Sequence, residues 1–89
     1  MTENIAQADK LMTLMKRKGT NVDVPIDDMF LELFGREAPD DNRVAQKRIG
    51  AVVSRFNARA EEVENVEMAG YWRVVPGDLK RTYRLTVVR

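Results

Sequence analysis

Five cations, Arg43, Lys47, Arg48, Arg55 and Arg59, stand between Arg43 and Ala60 with no acid among them. Guanidinium and ammonium groups at this density can neutralise closely spaced phosphates, so the segment reads as a polyanion-binding surface. The chain's formal net charge of only +1 conceals it, because the charge is sorted along the sequence. Thr20–Asp41 holds seven acids (Asp23, Asp27, Asp28, Glu32, Glu37, Asp40, Asp41) against the single base Arg36. Tyr71–Arg89 reverses this, with Arg73, Lys80, Arg81, Arg84 and Arg89 against Asp78.

Other chemistries find little support. Histidine and cysteine are both absent. That removes the commonest general base, a thiol nucleophile, a thiolate metal site and a disulfide framework. There is no glycine-rich phosphate loop and no metal-ligand spacing. The adjacent carboxylates Asp27–Asp28 and Asp40–Asp41 are better explained as helix caps, since neighbours on a helix do not face one another. The expectation is a protein that is not an enzyme and holds no cofactor or metal.

The elements that must position the cations follow from periodicity. With 89 residues, 44% hydrophobic and 33% charged, the chain is expected to form one folded domain over residues 1–89. A domain of this size buries roughly 60–65% of its unfolded surface, enough for a single modest core. Ile5, Ala8, Leu11, Met12 and Met15 predict an amphipathic helix over about Thr2–Lys18, with Thr2 as N-cap, Lys16–Lys18 in the last turn and Gly19 ending it. Val22, Val24 and Ile26 form a short extended stretch that Pro25 confines to an edge or a helix entrance. A second helix opens at Asp27 or just before it, buries Ile26, Met29, Phe30 and Leu33, leaves Leu31 exposed and stops at Gly35. Asp40 or Asp41 caps a third helix reaching about Glu62. Its buried stripe is Ala45, Ile49, Val52, Val53, Phe56 and Ala60, and its opposite face carries Lys47, Ala51, Ser54 and Ala58. Met68–Val75 and Lys80–Val88, joined by Pro76-Gly77-Asp78, predict a hairpin with Trp72 and Val74 on the same side as Tyr83 and Leu85.

Helix, short strand, helix, loop, basic helix and hairpin is the element order of a winged helix-turn-helix domain, an α+β fold of three helices with a small antiparallel sheet and a C-terminal hairpin wing. The stretch Val24-Pro-Ile-Asp-Asp-Met-Phe-Leu-Glu-Leu-Phe-Gly35 resembles the second helix of the effector domain of two-component response regulators. Val53-Ser-Arg-Phe-Asn57 resembles that family's recognition-helix stretch I-S-R-L-R, and Thr82-Tyr83-Arg84-Leu85 its closing G-Y-R-L strand. Asn57 departs from the pattern, standing where the family often carries a base. The sequence starts at the first helix, with neither the receiver domain nor the small N-terminal sheet of that family, so no phospho-switch can be inferred and the expectation is a stand-alone module. The resemblance implies double-stranded DNA binding, and a contact with RNA polymerase through the loop Arg36–Asp41. Compact lone regulators of this kind are common on bacteriophages and mobile elements.

Residues 42–62 then become a major-groove helix and residues 71–88 a wing. Gly50, Ala51, Ser54 and Ala58 are small enough to let the helix approach the groove closely. Arg43, Gln46, Lys47 and Ser54 are candidate base readers, because arginine and lysine pair with guanine acceptors and glutamine with adenine. Arg48, Arg55 and Arg59 lie along a flank and suit phosphates. Lys80 and Arg81, beside the hairpin turn, suit a minor groove. The expected function is a small transcriptional regulator binding double-stranded DNA with full or partial sequence specificity, as a homodimer or in tandem. Another reading makes the module a protein-interaction domain that docks on a polymerase or regulator through the acidic second-helix surface. No run of residues is long and apolar enough for a membrane helix, and the polar start Thr2-Glu3-Asn4 is unlike a signal peptide, so a cytoplasmic location is the default expectation.

Overall fold

The computed structural model describes residues 2–62 and 70–89, with side chains described for 7–61 and 70–89. Among these residues the chain forms α1 (Thr2–Lys18), β1 (Val24–Pro25), α2 (Ile26–Phe34), α3 (Asn42–Glu62), β2 (Tyr71–Pro76) and β3 (Thr82–Val88). The result is an α+β domain in which three helices pack on one antiparallel sheet of order β1-β3-β2. β1 pairs only at Val24↔Tyr83 and Pro25↔Thr82. Pro25 lacks an N–H, so an edge strand two residues long is as much as this segment can form.

Each helix shows why it starts and stops. α1 ends at Gly19, whose φ of 112° suits a residue without Cβ and whose N–H reaches the Met15 carbonyl at 3.0 Å. α2 ends at Gly35 in the left-handed conformation, with its N–H on the Leu31 carbonyl at 2.9 Å. α2 begins after Pro25 with no side-chain cap. Asp27 and Asp28 therefore act as first-turn acids favoured by the helix dipole, a correction to the capping expectation. At α3 the cap is Asp41. Its Oδ1 accepts the Arg43 N–H at 2.9 Å and its carbonyl accepts from Val44 and Ala45.

One core fills the space between the layers. α1 contributes Ala8, Leu11, Leu14 and Met15, α2 contributes Ile26, Met29, Phe30 and Leu33, and α3 contributes Ala45, Ile49, Val52, Val53 and Phe56. Val24, Val74 and Leu85 complete it from the sheet. The α2 and α3 stripes match expectation, with Leu31 exposed and Ala60 at the core's margin. In α1 the expected stripe is displaced. Leu14 is fully buried and Met12 only partly, because α1 packs against both other helices and needs a wider apolar arc than one row of side chains. The expected roles of Thr2 and Ile5 fall on side chains outside those described.

The hairpin register pairs Trp72 with Val87, Val74 with Leu85 and Pro76 with Tyr83. Trp72, Val74, Tyr83 and Leu85 thus share the core face, as the alternation implies. The expected strand start at Met68 lies outside the described residues. The second strand begins at Thr82 rather than Lys80. Arg81 has φ 56°, a left-handed conformation that a strand cannot contain. Gly77 is required in the connection, since a Cβ there would collide with the Thr82 hydroxyl and the Asp23 carboxylate.

That carboxylate anchors the hairpin to the rest of the domain. Asp23 Oδ2 accepts the Leu79 N–H at 3.0 Å, while Oδ1 accepts Arg84 Nε at 2.9 Å and Nη2 at 2.7 Å. The Leu79 N–H and then the Arg84 guanidinium hold the Asp23 carboxyl below its ordinary value of 3.8. The folded state is therefore stabilised above that ordinary value, and the stabilisation disappears as pH falls through the lowered one. Asp23→Asn should be less stable than the parent at neutral pH, with the gap closing on acidification from about pH 4 downward. Urea melts of both proteins across that range check this, and a gap independent of pH would refute it.

Candidate nucleic-acid interface

α3 is 21 residues long, roughly 32 Å at 1.5 Å per residue. With the core stripe turned inward, Lys47, Ala51, Ser54 and Ala58 are all exposed on the opposite side. An added Cβ at Gly50 would meet nothing within 4 Å, so the bare surface extends there too. The expected flank is also in place, with Arg48, Arg55 and Arg59 exposed. Gln46 is exposed beside the entry, and Arg43, with a side chain 93% exposed, stands at the helix start.

These candidates differ in what already holds them. Arg55 Nη2 donates to Gln7 Oε1 at 3.2 Å, which braces it against α1 without neutralising its charge. Arg43 lies 3.8 Å from Asp41, a long and solvent-exposed contact of little energetic weight. Lys47, Arg48, Arg55 and Arg59 have no acid within ion-pair distance among the described residues. Four exposed cations on one helix, without acid partners among the described residues, are the electrostatic feature of this surface.

The two cations of the hairpin turn stand in different surroundings. Lys80 is exposed, and no ion pair holds it among the described residues. Arg81 instead donates from Nη2 to Asp27 Oδ1 at 3.1 Å, and its carbonyl accepts the Ile26 N–H at 2.9 Å. Arg81 thus serves as a tie to α2, which leaves Lys80 as the extended cation of the turn. Arg84, inside β3, is held by Asp23 and also by Asp78 at 3.0 Å.

The acidic stretch is largely spent inside the domain. Glu32 faces Arg17 at 3.5 Å, Asp28 faces Lys18 at 3.8 Å, Asp27 faces Arg81, and Asp23 faces Arg84. The surface expected to carry strong negative charge is therefore closer to neutral. Between α2 and α3 an open groove of about 220 Å³ is lined by Phe30, Arg36, Glu37, Pro39, Val44 and Arg48. Among the described residues no group of three or more acids could hold a metal ion, and no helix is long and apolar enough to cross a membrane.

Two positioning residues escape the periodic reading. Asn57 Nδ2 donates to the Val74 carbonyl and Asn57 Oδ1 accepts the Val74 N–H, both at 2.8 Å. One amide thus closes the edge of β2 onto α3 and ties the basic helix to the hairpin. The signal was an asparagine, a poor helix former, well inside an otherwise regular helix. Lys16 lies 5.5 Å from the centre of the Trp72 ring, a cation–π contact joining α1 to β2. A lysine in a basic helix terminus gives no advance sign of that partner.

Comparison of the chain with protein-family models, with curated proteins and with solved structures finds no match.

Proposed function

We propose that this domain is a winged helix-turn-helix module that binds double-stranded DNA and regulates transcription. The observation that carries the reading is the exposed face of α3, with small residues at its centre and four cations lacking acid partners among the described residues. A duplex major groove admits one α-helix, and small side chains let its backbone come close while long arms reach bases and phosphates. The sheet order β1-β3-β2 supports the wing, since β1 leads straight into α2 and pairs beside the hairpin turn. Lys47, Gln46, Ser54 and Arg43 read base edges, Arg48, Arg55 and Arg59 clamp phosphates, and Lys80 accompanies the wing. A single module of this size covers a small site, so tight specific binding calls for a homodimer or tandem copies. The open groove beside the Arg36–Asp41 loop, with Val44 41% exposed at its wall, is the surface this reading leaves for RNA polymerase.

Docking through the acidic α2 surface finds less support, because Asp23, Asp27, Asp28 and Glu32 each already face a cation of the same chain. Salt dependence separates polyanion binding from the alternatives. If about five phosphates are neutralised, the logarithm of the affinity for mixed duplex fragments should fall against the logarithm of salt with a slope of about −4 to −5. A flat dependence in a fluorescence-anisotropy titration would reject the proposal.

A further inference from the structure

The tip of the hairpin carries an unexplained apolar side chain. Leu79 is 68% exposed, more than any other large hydrophobic residue described. Turns ordinarily carry polar residues or glycine and proline, so a leucine displayed here asks for a reason. The loop around it is rigidly built. The Leu79 N–H is held by Asp23 at 3.0 Å, its carbonyl accepts the Thr82 hydroxyl at 2.6 Å, and the Gly77 N–H reaches the Thr82 carbonyl at 2.9 Å. Asp78 and Arg84 pair with each other, and Arg81 pairs with Asp27. Two side chains at the tip, Leu79 and Lys80, have no such partner among the described residues.

We propose that Leu79 is a wedge that enters the minor groove of bound duplex DNA and unstacks one flexible base step, with Lys80 beside it meeting the backbone. This rests on the duplex-binding reading of α3 and goes further, assigning as target a duplex that can be kinked. A rigid tip bearing one apolar side chain and one cation has the chemistry of such wedges, which open pyrimidine–purine steps because those unstack most easily. The tip belongs to the hairpin that Asn57 of α3 grips at Val74, so the wedge and the reading helix share one scaffold.

The test uses duplexes selected for binding from a random pool, with 2-aminopurine placed at successive pyrimidine–purine steps. The full chain should raise the fluorescence roughly twofold or more at one step and not at the others. Leu79→Ala, a change at an exposed side chain, should abolish that rise while affinity stays within roughly fivefold, because phosphates carry most of the binding. Lys80→Ala should lower affinity and keep the rise. Tight binding without any fluorescence change, or a rise that survives Leu79→Ala, overturns the wedge and leaves DNA binding standing. Self-association that Leu79→Ala abolishes, together with binding that unstacks no step, assigns the tip to a second copy of the chain and also overturns it. Failure to select any duplex removes the underlying reading, and the wedge with it.

Discussion

Asn57→Ala is expected to destabilise the domain by about 2–3 kcal/mol, because both hydrogen-bonding groups of the Val74 backbone lose their partner at once. Val74 is a buried core residue, and its outward edge is closed by one side-chain amide. The loss is a large share of a small domain's total stability and should lower the melting temperature by roughly 10–20 °C. Asn57→Asp should be no better. It keeps an acceptor for the Val74 N–H, loses the donor to the Val74 carbonyl, and sets a negative charge against that oxygen. Urea denaturation of the three proteins measures the effect, and a loss below about 0.5 kcal/mol for Asn57→Ala would show that water replaces the amide without cost. An unstable hinge here would also uncouple hairpin from helix, so the variant should lose duplex affinity even at temperatures where it remains folded.

Asn57 also marks the boundary of what the sequence discloses. The buried stripes of α2 and α3, the exposure of Leu31 and the alternation of β3 could all be read in advance. Each depends on a period that the chain repeats several times. The partner of an amide, by contrast, is fixed by a residue 17 positions away, and no local pattern encodes it. The same holds for Arg81 and Asp27, 54 residues apart, and for Arg84 and Asp23, 61 apart. The sum of acids between Thr20 and Asp41 was legible, but their internal neutralisation was not, since charge counts carry no geometry. Leu14 fell outside the expected stripe for a related reason. A helix with two neighbours buries more of its circumference than one row of residues indicates.

Lys47→Ala and Arg55→Ala should separate base reading from phosphate clamping on the same helix. Lys47 projects from the bare face, where the proposed docking sets it against base edges. Its removal should cost about 1–3 kcal/mol, or roughly 5- to 150-fold, on a preferred duplex and much less on a mixed one. Arg55 stands on the flank, braced by Gln7 at 3.2 Å, where a pre-set guanidinium can donate to a phosphate with little loss of side-chain freedom. Arg55→Ala should weaken all duplexes about equally, and each lost phosphate contact should make the salt slope shallower by about 0.9. Both side chains are exposed, so neither variant should melt far from the parent. Anisotropy titrations on selected and mixed duplexes at two or more salt concentrations give both quantities. If both variants bind as the parent does, α3 is not the reading helix, and the cation-rich face must serve another polyanion or none.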